Sequence, residues 1–181
     1  MSTPHRITLS AWLVTAVVEV VIAVVLLWLV PAAVAAGPRQ YSVPLTPRPT
    51  VVRGFDAPEH RWQAGHRGVD LAATTGAPVL AAGAGLVRFA GEVAGRPVVS
   101  IQHPDGVITT YEPVTPTVSP GDHVGRGDPI GTVLSGHPEC PVAVCLHWGA
   151  RLGAGRTARY LDPLGLIGAV RVRLKPVQPD S

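Results

Sequence analysis

The chain has 181 residues, 15 Lys and Arg against 12 Asp and Glu, and a formal net charge of only +3. The excess is scattered arginine, Lys175 is the sole lysine, and no basic block marks a nucleic-acid partner. Residues 1–36 come first. His5 and Arg6 make a weakly basic start, and an apolar segment runs from Ala11 to Val30, interrupted by Glu19. Its longest uncharged part is Val20–Val30; Pro31 and the small residues Ala32–Ala36 follow. Small residues after an apolar core suit a signal-peptidase cleft, so residues 1–36 read as a secretory signal cut after Ala35 or Ala36. The competing reading is a membrane anchor through residues 11–30, which would place Glu19 in the bilayer at a cost. Either way the remainder is expected to be extracytoplasmic, in the cell envelope or secreted. A mild positive charge there suits a polyanionic wall or membrane surface.

Residues 37–50, GPRQYSVPLTPRPT, are Pro-rich and polar and read as an extended linker. Residues 51–168 form the expected domain. Here short apolar runs such as GVDLAA, GLVRFAG, PVVSIQH and CLHWGARL alternate with Gly, Pro and Asp, which is the pattern of strands and turns. No stretch carries a long helical period. One helical turn is expected near Asp162–Leu166, and residues 169–181 form a C-terminal tail. The architecture should be all-β, an antiparallel sheet or sandwich with hairpins. Cys140 and Cys145 lie five apart, and in an exported chain such a pair is more often a disulfide than two free thiols.

Two segments share a Gly-x-Pro-aliphatic turn ahead of a strand, at Gly76–Val79 and Gly127–Ile130. The stretch SPGDHVGRGDPIGTV resembles the hairpins of biotinyl or lipoyl carriers. A carrier needs a lysine at a hairpin tip, and the only lysine lies in the tail, so the fold hint survives and the carrier chemistry does not.

His66 and Asp70 are four apart, an even offset that places both on one face of a strand. Cys145 and His147, two apart, also share a face. Two histidines and one carboxylate suit zinc with a fourth position left for water, which becomes more acidic and nucleophilic there. The set His66, Asp70 and His147 is therefore the candidate metal site. Trp148 should face away from it into the core. His103 should order the turn in QHPDG, while His123 and His137 fall in loops that the spacing does not place. Arg67 and Arg151 could meet substrate carboxylates, although solvated arginine is commoner.

The segments GHRGVDLAATTGAPVLAAGAGLVRFAG, VSIQHPDGVITTYEPV, GDHVGRGDPIGTV and LHWGARL, in this order, resemble the lysostaphin/LytM-type zinc metallopeptidases over roughly residues 53–166. The resemblance implies an antiparallel β fold with a groove, zinc as cofactor, and peptide cross-bridges of bacterial peptidoglycan as substrate. It matches His66 and Asp70 to the first ligand motif and His147 to the second histidine of His-x-His. Two positions depart. The first histidine of His-x-His is Cys145, and Pro113 stands where a second catalytic histidine follows the strand matching VITTY. Glu112 is the candidate substitute base; a solvated strand-end glutamate is its other reading. A reduced Cys145 would be a fourth ligand closing the site; a bridged one only fixes the His147 strand. Three readings stay open: a zinc endopeptidase of peptidoglycan, a catalytically impaired zinc-binding wall-binding or regulatory domain, and a β interaction module without metal.

Overall fold

The computed structural model describes residues 40–58, 60 and 62–169. The signal or anchor expected at residues 1–36, and the tail beyond residue 169, lie outside the described residues. Among the described residues no helix is long and apolar enough to cross a membrane.

The domain is all-β, as its strand-and-turn pattern requires. Its larger sheet has eight strands. In chain order they are β1 (Val51–Arg53), β2 (Gly68–Ala72), β4 (Gly85–Val93), β5 (Arg96–Gln102), β6 (Val107–Glu112), β8 (His123–Val124), β10 (Cys145–Leu152) and β11 (Arg159–Leu161). Across the sheet the order is β1-β2-β10-β6-β5-β4-β8, and β11 adds to the end of β10 beyond β2. A second sheet orders β3 (Pro78–Leu80), β9 (Pro129–Val133) and β7 (Val114–Pro116). The named pairings are all antiparallel. The expected helical turn is α1 (Pro163–Leu166), where Asp162 caps the first turn by accepting the Leu164 N–H at 2.9 Å.

Register decides which residues share a face. Trp148 stands opposite Val69 of β2 and Tyr111 of β6, and Tyr111 stands opposite Val99 of β5. All four are fully buried and form one row of the core, together with Leu71, Ile101 and Leu146 nearby. Because side chains alternate, the next row points the other way. It runs from Asp70 through His147 to Glu112. The sheet's core face and its site face are thus one residue out of phase along three strands.

The Pro-rich stretch from residue 40 has no regular structure but is packed on the domain. Tyr41 and Leu45 are buried in the core. Backbone bonds tie Ser42 to Ala82, Leu80 to Pro44 and Ala72 to Thr50 at 2.7–2.9 Å. Residues 45–49 line a depression with Ala72, Ala73, Thr74 and Ala77.

Candidate metal centre

His147 occupies the centre of the site because β10 is the strand between β2 and β6. Its neighbour across the first ladder is Asp70, and its neighbour across the second is Glu112. His66 lies just before β2, held by a two-way backbone bridge to Asp56 at 2.8–2.9 Å. From there its ring reaches the same face. Gly68 between them is a packing requirement. A Cβ there would fall 2.6 Å from His147 Nε2 and 2.5 Å from the Trp148 carbonyl oxygen.

The polar atoms converge on one oxygen. Asp70 Oδ1 lies 2.8 Å from His147 Nδ1, 3.0 Å from His66 Nε2 and 3.2 Å from His137 Nε2. His66 Nε2 and His147 Nδ1 are themselves 3.0 Å apart. Asp70 is fully buried, and its Oδ2 has no hydrogen-bond partner; neither does His137 Nδ1. Burial alone would push the Asp70 carboxyl up. Hydrogen bonds from His137 and His147, and the charge of those rings, outweigh it and hold the carboxyl well below the usual carboxylate range. The His66 tautomer is fixed from behind, because its Nδ1–H donates to the Gly54 carbonyl at 2.6 Å, leaving the Nε2 lone pair for the site.

A carboxylate oxygen offers about two lone pairs. Three ring nitrogens crowd this one, two of them within contact of each other, while the second oxygen is orphaned in the interior. Proton sharing leaves that arrangement unbalanced; a cation balances it. The donors His66, Asp70, His137 and His147 lie within 4.8 Å of one another. Imidazole nitrogen and carboxylate oxygen are a donor set that fits zinc. The three residues singled out in the sequence are brought together.

His137 is the addition. It belongs to the segment between β9 and β10, where spacing gives no position. Its ring stacks on His147, with centroids 5.2 Å apart. The cysteine pair was the readable signal. Cys145 begins β10 on the site face, opposite Ala72, and is disulfide-bonded to Cys140 with Cα atoms 5.9 Å apart. That bond draws residue 140, and with it His137 three places earlier, over the site face. Cys145 is therefore neither ligand nor base.

Glu112 is on the site face, partly buried, and its carboxylate meets Arg96 at 3.4 Å. It shares with His147 a groove of about 550 Å³ that also contains Arg67, Arg88, Arg96 and Arg151. Arg67 lies over the Tyr160 ring, 5.5 Å from its centroid, and Arg151 Nε is buried without a partner. Pro113 uses its carbonyl to accept the Leu134 N–H at 3.0 Å. His123 is exposed on β8 at the far edge of the large sheet, away from the metal centre. His103 does hold its turn, bonding Val107 and Gly106 through its backbone, but its ring is buried in a separate network. Trp148 is core, as expected.

The sequence model of peptidase family M23 matches residues 64–163, which span this whole centre. The chain belongs to peptidase family M23. It is 52% identical over 138 residues to the uncharacterized protein Rv2891 of Mycobacterium tuberculosis, covering 76% of this chain and 55% of that one. The chain therefore spans about half the length of that relative. Among solved structures, the catalytic domain of the antimicrobial peptidase lysostaphin from Staphylococcus simulans shares the fold. Its TM-score is 0.56 at 24% identity, with 66% of this chain and 92% of that one covered. A zinc-containing peptidase from Vibrio cholerae is 26% identical with a TM-score of 0.51, covering 62% of this chain and 36% of that one.

Proposed function

We propose that this chain is an exported zinc metallopeptidase domain that hydrolyses peptide cross-links of bacterial peptidoglycan. The observation that carries the reading is the convergence of His66, Asp70 and His147 at the end of an arginine-rich groove, in a member of peptidase family M23. His66, Asp70 and His147 would hold zinc, with His66 oriented by Gly54 and His147 seated over Gly68. Zinc so held supplies Lewis acidity to a scissile carbonyl and makes a neighbouring water more acidic. Glu112, one strand across from His147 on the same face, takes the proton from the attacking water and passes it to the leaving amine. Arg96 orients the Glu112 carboxylate for that transfer.

The groove favours a particular kind of substrate. Among the described residues, Arg67, Arg88, Arg96 and Arg151 line it with one carboxylate, Glu112, while Phe89, Val98 and Tyr160 supply apolar wall. Guanidinium groups match free carboxylates in geometry and charge. A peptide carrying free carboxyl groups, as wall stem peptides do, fits this lining. Export through residues 1–36, by cleavage or as a tether through residues 11–30, would bring the domain to that polymer.

A second reading has its own observation. By the family resemblance, Cys145 and Pro113 stand where two auxiliary histidines are expected, Cys145 is disulfide-bonded, and a loop histidine, His137, lies 3.2 Å from Asp70. A zinc-binding wall-binding or regulatory domain would look the same. The test is amine release from cross-linked peptidoglycan by the zinc-loaded, oxidised full chain, with Asp70→Ala as control. Release by wild type alone supports the peptidase. No release from zinc-containing wild type and zinc-containing His137→Ala alike supports the binding domain.

A further inference from the structure

Three features of the 134–144 segment point the same way. His137 Nε2 is 3.2 Å from Asp70 Oδ1, and the side chain is nine-tenths buried. The segment is anchored on both sides of that ring. Leu134 N–H donates to the Pro113 carbonyl at 3.0 Å before it, and the Cys140–Cys145 disulfide closes it after. Glu139 is paired with Arg53, and the Ala73 N–H donates to the Val144 carbonyl at 3.1 Å. His137, Pro138 and Glu139 form one wall of a cleft of about 380 Å³ whose other walls include His66, Glu112 and His147.

We propose that His137 is a fourth protein donor to the metal, and that the disulfide-pinned 134–144 loop keeps the centre closed until it is displaced. A three-donor zinc site leaves a position for water or substrate; four protein donors make a closed site. The position needed for hydrolysis is then filled by a residue of the chain itself. Access to it requires the loop to lift His137 away. The disulfide is what limits that movement, because it shortens the tether between the histidine and β10. This inference rests on the metallopeptidase reading of the same site and adds its regulation.

The test uses the oxidised full chain, not its hydrolytic activity alone. Zinc affinity is measured by chelator competition, and the Co(II)-substituted protein is titrated with acetohydroxamate, a small metal-binding probe. His137→Ala should weaken zinc binding by about tenfold or more. It should also let acetohydroxamate change the Co(II) absorption at concentrations at least about tenfold lower than wild type needs. The double variant Cys140→Ser/Cys145→Ser should shift probe binding the same way with a smaller loss of zinc. Zinc affinity and probe response unchanged in both variants, while His66→Ala abolishes zinc binding, would overturn the fourth-donor assignment and leave the metallopeptidase reading standing. Zinc binding that survives His66→Ala would overturn both.

Discussion

Among the described residues the domain contains two buried histidine networks, and they are built on opposite principles. Around His103 every ring position has a partner. Its Nδ1–H donates to the Ala84 carbonyl at 2.9 Å, and Nε2 accepts from Thr109 at 2.8 Å. Thr109 accepts from Tyr111 at 2.9 Å, and the Tyr111 oxygen accepts from the Ala82 N–H at 2.9 Å. Burial pushes the Tyr111 hydroxyl up to about 12 and the His103 ring below its ordinary value, so both stay neutral. Around Asp70, three ring nitrogens compete for one oxygen and another carboxylate oxygen goes without. A balanced network is structure; an unbalanced one is a binding site in waiting. Burial is similar in both, so burial alone does not separate them.

The largest expected effect comes from removing the charge on which the unbalanced network turns. Asp70→Ala should lower zinc affinity by about a thousandfold, about 4 kcal/mol, read by chelator competition; an unchanged affinity would place the metal elsewhere. Next comes a residue beside the cluster that is not a donor. Glu112→Gln should slow amine release by about a hundredfold and leave zinc affinity within about twofold of wild type. If zinc is lost with activity, Glu112 is a ligand and not a base.

Gly68 tests the packing of the cluster. Its Cβ would strike both His147 Nε2 and the Trp148 carbonyl, so Gly68→Ala should cost about 2 kcal/mol or more in urea unfolding and weaken zinc as well. An unchanged unfolding midpoint would mean that His147 is not seated as described.

The smallest effect sharpens the balanced side. His103 is held neutral when folded, so its folded value lies below its unfolded one. The unfolded chain takes up a proton first as pH falls below about 6.5, and stability present above that pH is lost on the way down. With metal chelated, the melting-temperature advantage of wild type over His103→Gln should shrink between about pH 7 and about pH 5. A constant gap would show that His103 does not titrate with unfolding.

Much of this was legible in the sequence for definite reasons. Short apolar runs between Gly and Pro gave an all-β chain because strand burial has a short period. His66, Asp70 and His147 were legible because even offsets share a face. Cys140 and Cys145 were legible because they sit five apart in a chain whose first 36 residues read as an export signal. The face on which Glu112 lies was not, because it depends on the β6–β10 register, a contact between distant segments. His137 was not, because its place is set by a covalent loop closure and not by periodicity. The polar look of residues 37–50 hid Tyr41 and Leu45, whose burial depends on a cleft formed by the rest of the fold. His103 looked like a turn residue because its partners Ala84 and Thr109 lie on other segments.

The most direct test of the central claim is the metal content of the purified full chain, measured by elemental analysis beside His147→Ala. The account predicts about one zinc per wild-type chain and almost none in the variant. Zinc retained by folded His147→Ala, or absent from wild type dialysed against it, would contradict the account.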